Sequence, residues 1–370
     1  MLETDVLIIG GGVVGLSILE QVPSKWSALL LERHPSFGRE TSSRNSEVIH
    51  SGIYYAHGSK KTEHCKVGRN ELYRFCQERS VPFKRCGKYV VATHPDEEQS
   101  LEELAAHCEY EVVPFQIIGK TWLESKAPLL KVSQALFFPL SGILDSHQFM
   151  SALERSAKEQ GKLIAYNTEF VRLLEKDPWV VEVCENGKTF KIQSKVLINS
   201  AGLSAASISN SILNTDRYIH RFCRGRYFQL DSSFRGKFES LIYPLPQKDG
   251  LGIHVTKDLS GSVRLGPDTD WCKGANLENL DSFYECNWDE LKGEFTSFVR
   301  RFMPSLEPEH LNPGFTGIRP KLFIEGKLYS DFLVEHQGHF IHLLGIESPG
   351  LTASLSLGKE VAHLIESILQ

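Results

Sequence analysis

Three stretches of this chain carry side chains able to bind an anion and move a proton. The first, Thr41 to Tyr55 (TSSRNSEVIHSGIYY), gathers short donors and acceptors around one imidazole, His50, and ends in two phenols, Tyr54 and Tyr55. An imidazole titrates near working pH, so His50 is a candidate general base. The plainer reading is a loop histidine hydrogen-bonded for structure. The second stretch is cationic and aromatic: Arg224, Arg226 and Tyr227, then Tyr243, His254 and Thr256, Arg264, and Arg319 with Lys321. Arginine binds carboxylates through paired N–H donors. In GLGIHVT, strand alternation puts His254 and Thr256 on one face, Ile253 and Val255 on the other, so His254 can point at substrate if that face lines a cavity. Each arginine taken singly reads as a surface charge. Arg319 is the best candidate, because it lies in a Gly/Pro-rich segment, Gly314 to Pro320, close to the final strand. The third stretch, Gly345 to Ser354 (GIESPGLTAS), ends a strand, turns at Pro349-Gly350 and opens a small-residue helix. The free N–H groups and positive end of such a helix suit an anion, though an ordinary capped helix reads the same way.

These groups need a frame, and the frame begins at the N-terminus. Thr4 to Ile9 is a buried-strand pattern that runs directly into Gly10, Gly12 and Gly15, a G-x-G-x-x-G placed between a strand and a helix. Gly10 permits the tight turn, Gly12 lets backbone approach a pyrophosphate, and Gly15 lets the helix pack on the strand. The pyrophosphate then meets the helix N-terminus. A second apolar run, Ala28 to Leu31, ends in Glu32, about 20 residues past the middle glycine, where an acid accepts from a ribose hydroxyl. Strand, glycines, helix, strand and acid in register point to a dinucleotide, and the motif by itself leaves NAD and FAD open.

At 370 residues the chain exceeds one ordinary domain. A net charge of −5, with no Lys/Arg block, argues against nucleic acid as a partner. No apolar run approaches bilayer length, and the first strand begins too early for a leader, so a cytoplasmic location without an integral membrane segment is expected; peripheral membrane contact stays open. The eight cysteines are scattered without C-x-x-C, which reads as reduced thiols, not a disulfide frame or a metal site. P-loop, zincin and hydrolase-elbow motifs are absent.

Along the chain, Pro35 to Gly58 is a long polar loop where a plain nucleotide fold would place another strand and helix. Helices are expected at Lys61 to Arg79, Asp96 to Cys108, from an Asp145 or Ser146 cap to Gln160, at Phe283 to Phe302 and at Leu351 to Leu369. Strands are expected at Lys88 to Thr93, Val112 to Ile118, Ala135 to Phe138, Lys195 to Asn199 and Phe340 to Leu344. The segment Lys195 to Gly202 repeats the opening theme of a buried strand ending in small residues. Nucleotide-domain pieces thus fall at the start, middle and end, with insertions between them. That interleaving favours FAD over NAD, because the far end of a flavin needs other elements to cover it.

The sequence also resembles the FAD-dependent oxidoreductases of the D-amino-acid-oxidase superfamily, and within it the L-2-hydroxyglutarate dehydrogenase/oxidase branch. The resemblance rests on SSRNSEVIHSGIYY, CGKYVVAT, SGILDSHQF, INSAGL, RGRYF, IYPLP with GLGIHVT, LGPDT, GFTGIRPK and GIESPGLTASLSLG, in family order across nearly the whole chain. It implies an α/β (α+β overall) architecture: a Rossmann-like FAD domain of discontinuous segments (1–85, 145–215 and 305–370) with an antiparallel-sheet substrate domain (86–144 and 216–304). FAD contacts are implied at Gly10, Gly12, Val13, Val14, Gly15, Glu32 and Arg33, and along the polar loop at Thr41, Ser42, Ser43, Arg44, Asn45, Ser46, Val48 and His50. Further contacts are implied at Val171, Ala201, Gly202, Gly317, Arg319, Ser348, Gly350, Leu351 and Thr352. Two departures stand out: the connection from Val22 to Ala28 is short, and Glu47 occupies a place where branch members often have glycine.

The chemistry so implied is oxidation of an L-2-hydroxy acid to the 2-oxo acid. Arg319 clamps the carboxylate, with Tyr227 or Lys321 assisting, and His50 or His254 takes the hydroxyl proton. Tyr55, Tyr243, Arg224 and Arg264 complete the substrate set, the last two as cations for a second carboxylate. The electron acceptor, whether oxygen, quinone or a carrier protein, is not named by the residues. A glycerol-3-phosphate-type dehydrogenase, an amine or amino-acid oxidase, and a catalytically silent flavin-binding scaffold are the rival readings.

Overall fold

Val6 and Ile8 point to one side of the strand Leu2–Ile9, Leu7 and Ile9 to the other, and all four are buried. A strand buried on both faces belongs in the middle of a sheet covered on both sides. The computed structural model, which describes residues 1–245 and 252–370, places it there. Leu2–Ile9 lies parallel between Lys188–Asn199 and Ala28–Leu31, with Leu163–Ala165 parallel at the far side of Ala28–Leu31. Phe340–Leu344 pairs parallel with the end of Lys188–Asn199, and Leu333–Gln337 closes that edge antiparallel. One face of the sheet is packed by the helices Val13–Gln21, Lys60–Glu78, Ser146–Glu159 and Gly350–Leu369. The other is covered by the antiparallel Thr168–Lys176, Trp179–Glu185 and Lys188–Asn199, through Phe170, Trp179, Val181 and Val183, together with Ile212 of the helix Ala205–Leu213.

A second sheet of ten strands among the described residues is built around Tyr218–Leu230 and Leu311–Ile324, which pair antiparallel along nearly their full length. It continues through Val263–Leu265, Val255–Lys257, Leu241–Pro244, Lys88–Ala92 and Gln134–Phe138 to Gln116–Gly119. The helix Trp288–Val299 packs on it through Leu291, Phe295 and Val299. A small third sheet, Val48–Ile49, Gly142–Leu144 and Phe83–Lys84, anchors the end of the polar loop.

The fold is therefore the expected α/β arrangement of a Rossmann-like sheet with a largely antiparallel companion, and several boundaries move. Within the segment 305–370 assigned to the FAD domain, Leu311–Ile324 and Lys327–Leu328 pair in the second sheet. Nearness in sequence to the last strand concealed a partner almost a hundred residues away. The helix expected at Phe283 to Phe302 starts only at Trp288, because Leu280–Tyr284 forms a separate 3-10 turn and Asn287 stands at the N-cap. In GLGIHVT, residues 250 and 251 lie outside the described residues, and His254 immediately precedes the strand Val255–Lys257. Among the described residues no helix is long and apolar enough to cross a membrane.

Candidate active site

A continuous cleft runs from the glycine turn to the interface of the two large sheets. At its first end Gly10 has φ +104°, and a Cβ there would lie 2.7 Å from the backbone of Ser200 and Ala201. A Cβ on Gly15 would lie 1.9 Å from the Gly10 carbonyl oxygen, so only glycine lets the helix Val13–Gln21 seat on the strand. Glu32 is pinned at the end of its strand. It accepts from the Gly11 N–H at 2.8 Å and from the His34 N–H at 2.7 Å, while burial pushes its carboxyl above the usual range. The helix has no side-chain cap at Gly12; one first-turn donor, the Val13 N–H, meets Ser42 Oγ at 3.0 Å. Gly10, Gly12, Val13, Val14, Glu32, Arg33, Ala201 and Gly202 all line the cleft, with Arg33 held by Glu40.

The polar loop forms the middle wall. Thr41 Oγ1 donates to the Ile318 carbonyl at 3.0 Å, and Asn45 folds back on the Ser42 carbonyl at 2.7 Å, so Thr41, Ser42, Arg44, Asn45 and Ser46 are presented to the cleft. Gly317 is required here, since a Cβ would come within 2.1 Å of the Arg44 carbonyl oxygen. Glu47 has φ +58°, a backbone conformation that glycine adopts without cost, which explains why glycine suits this place. Its carboxylate repays some of that strain by accepting from Ser146 Oγ at 3.0 Å and pairing with Arg264 at 3.1 Å.

At the far end, period-2 alternation selects the lining. Gly225 and Tyr227 from one long strand, and Gly317 and Arg319 from its partner, face the cleft. Arg319 is held by three backbone carbonyls, of Cys223 at 3.4 Å, Arg224 at 3.0 Å and Asp268 at 2.9 Å, through Nε and Nη2. Its Nη1 has no acceptor among the described residues. His254 stacks on Tyr243 with ring centroids 3.6 Å apart, and neither of its ring nitrogens is hydrogen-bonded within the described residues. His50 is fixed by its backbone N–H to Thr352 Oγ1 at 3.0 Å, and its Nε2 lies 3.4 Å from Ser348 Oγ. Burial, with Lys88 nearby, pushes His50 down to about 3, and burial with Lys88, His50 and Arg319 pushes His254 well down too. Both imidazoles are therefore neutral at working pH. Burial raises the Tyr227 phenol to about 12 and Tyr243 further still, and both contact the Ser46 side chain. Phenols so raised stay protonated and can donate.

Several expected site residues lie elsewhere. Arg224 falls on the opposite face of its strand from Gly225 and is committed to Asp270 at 2.7 Å. Arg264, tied to Glu47 and Asp258, opens on a separate cavity with Arg39, Ser43, Arg44 and Phe315. Lys321 pairs with Glu347 at 2.8 Å, which Lys61 also reaches at 3.2 Å. Tyr55 sits outside the lining, hydrogen-bonded to Ser348 and raised by burial. Ser43 turns back to the Gly38 carbonyl. Val171 occupies an irregularity in the pairing of Thr168–Lys176 with its neighbour and is 45% exposed, so its neighbours Thr168, Glu169 and Phe170 line the cleft in its stead. Thr352 is wholly buried and ties the last helix to the His50 and Val48 backbone. Gly15 acts through packing beneath the cleft. Sequence reasoning missed Pro267, Ile346 and Glu347 as lining residues, and the buried Lys88 behind Tyr243. Pro267 and Lys88 sit in the LGPDT and CGKYVVAT blocks of the resemblance and Ile346 and Glu347 in the G-I-E-S-P-G turn, but no local pattern singled out the individual residues.

The cleft fits FAD on geometry alone. A glycine turn closed to any Cβ, an uncapped helix N-terminus and a pinned carboxylate occupy one end; a second uncapped helix N-terminus, at Gly350 and Leu351, faces the other. The family model "FAD dependent oxidoreductase" (DAO) matches residues 5–364. L-2-hydroxyglutarate dehydrogenase, mitochondrial, of Arabidopsis thaliana is 35% identical over 98% of this chain and 83% of its own length. A glycerol 3-phosphate dehydrogenase of Caloramator mitchellensis is 29% identical over 98% of this chain and 74% of its own. Among solved structures, the dithionite-reduced L-alpha-glycerophosphate oxidase of Mycoplasma pneumoniae with FAD bound superposes with a TM-score of 0.86 at 23% identity, covering 99% of this chain and 95% of that one.

Proposed function

Because the chain belongs to the FAD-dependent oxidoreductase family, and is thus a flavoenzyme, we propose that it oxidises L-2-hydroxyglutarate to the 2-oxo acid. The observation that carries the reading is the convergence of an Arg319 with an unused Nη1 and two neutral imidazoles at the end of the cleft. Near-full-length likeness to L-2-hydroxyglutarate dehydrogenases supports the choice of substrate.

FAD would be held by the Gly10–Val14 turn, Glu32, the Thr41–Ser46 loop and the Gly350 helix end; when bound, it accepts the two electrons removed from the substrate carbon. The chain's own residues do the rest. Arg319 Nη1 takes the substrate carboxylate, and its other nitrogens, locked on backbone carbonyls, keep the guanidinium from swinging. His254 accepts the hydroxyl proton through a free ring nitrogen, and its stack on Tyr243 sets the ring plane. Tyr227 and Tyr243, held protonated, donate to substrate oxygens. His50, bridged to Ser348, orders the entrance of the last helix. The electron acceptor is oxygen, a quinone or a carrier protein.

Anaerobic addition of L-2-hydroxyglutarate should bleach the visible flavin band, with the D-enantiomer, amino acids and glycerol 3-phosphate inert. A second reading, glycerol 3-phosphate oxidation, is favoured by the likeness to the Caloramator and Mycoplasma enzymes. Bleaching by glycerol 3-phosphate and not by the hydroxy acid would establish it in place of the first.

A further inference from the structure

Lys88 is fully buried, and its ammonium has no hydrogen-bond partner among the described residues. Buried charges are ordinarily paired, because leaving water uncompensated is costly. Its surroundings are aromatic: Nζ lies 4.6 Å from the Tyr243 ring, 5.3 Å from Tyr54 and 6.0 Å from Phe138. Tyr243 is the ring on which His254 stacks. A methionine would fill the same space without burying a charge, so packing gives no reason for a lysine here.

The groups around it are few. The helix Lys60–Glu78 presents Cys65 and the helix Glu98–Tyr110 presents Cys108; burial raises both thiols to about 12, so neither supplies a counter-charge. The loop after Ile49 presents His50 and Tyr54, the strand Leu241–Pro244 presents Tyr243, and the segment before Val255 presents His254. The charged groups acting on the imidazoles are cationic: Lys88 on both, Arg319 on His254. Burial lowers Lys88 itself to about 8, which leaves it largely protonated at neutral pH.

We propose that Lys88 is a positioning residue: a cation walled in behind Tyr243 that acts on His254 and His50 by charge repulsion and holds the Tyr243–His254 stack, so that the imidazoles meet substrate as proton acceptors. Lys88 does not line the cleft and touches no reacting atom. The inference rests on the proposed role of these histidines in hydroxy-acid oxidation.

Two measurements on the FAD-loaded protein keep the two readings apart. The first needs no substrate: imidazole NMR titration of His50 and His254 in wild type and K88M. In wild type both rings titrate well below the ordinary imidazole range; in K88M at least one titrates higher, by about one pH unit or more. The second is the pH profile of flavin bleaching by L-2-hydroxyglutarate, whose acid limb should rise by the same amount, costing about tenfold in rate at the acid end. K88R, which keeps the cation, should return both readouts toward wild type. K88M should melt no lower than wild type, since it removes an unpaired buried charge. Unchanged imidazole titrations in a folded K88M, or loss of folding in both K88M and K88Q, would overturn the proposal and leave Lys88 a packing residue. Shifted titrations with no bleaching by any hydroxy acid would uphold the electrostatic role and overturn the substrate reading alone.

Discussion

The two ends of the cleft are built on opposite principles. The nucleotide end is built around one strand-turn-helix, made largely of backbone and met by segments 168–170 and 200–202, and it carries carboxylates: Glu32, with Glu40 and Glu169 beside Arg33. The far end is assembled from segments near residues 50, 227, 243, 254, 319 and 348, and the groups acting on its imidazoles are cations. Binding a nucleotide needs shape and a few N–H donors, which one strand-turn-helix supplies. Holding an anionic substrate beside a neutral base needs charge placed at a distance and water kept out, and no short peptide can do that alone.

Substitutions should separate the two ends. The largest effect is expected at the far end: His254→Asn should slow flavin reduction by about 10² to 10⁴-fold, read by rapid mixing, with FAD retained. Arg319→Met should slow it by about 10² to 10³-fold and weaken substrate saturation, since losing a positioned donor costs about 2.7–4 kcal/mol. At the nucleotide end, Gly15→Val must push the helix off Gly10; overpacking of about 1–3 kcal/mol should weaken FAD retention at least tenfold while leaving reduction normal in molecules that keep it. Glu32→Gln should weaken FAD retention less. Thr352→Val, which cuts the tie to the His50 N–H, should lower stability by about 1 kcal/mol in denaturant titration and leave FAD retention near normal. A far-end variant that lost FAD, or a near-end variant that slowed reduction in loaded molecules, would blur the division.

That division also sets what could be read from the sequence. The glycine turn was legible because Gly15 packs on Gly10 and Glu32 on Gly11 within one strand-turn-helix-strand unit, although the close approach at Gly10 comes from distant Ser200 and Ala201. Arg319 was picked out by its Gly/Pro-rich surround; His254 was picked out by strand alternation, yet it precedes its strand and reaches the cleft from the adjoining segment, without Thr256. Arg224 was misplaced by one residue of that alternation, which carries it to the other face with Asp270. Val171 was lost to a local irregularity in pairing, and Arg264 to a long-range partner, Glu47, that no local pattern announces. Lys88 heads an apolar run, and only the packing of five separate segments around it makes it a buried cation. The pairing of Leu311–Ile324 with Tyr218–Leu230 was hidden for the same reason: contacts across such distances leave no local trace.

The most direct test is oxygen-free rapid mixing of the FAD-loaded protein with L-2-hydroxyglutarate, comparing wild type with Arg319→Met at the visible flavin band. Fast, saturable bleaching by the L-enantiomer in wild type, slowed at least a hundredfold in the variant with FAD still bound, is the expected result. Equal bleaching in both proteins, or none in wild type, would contradict a far end organised to clamp and deprotonate a 2-hydroxy acid.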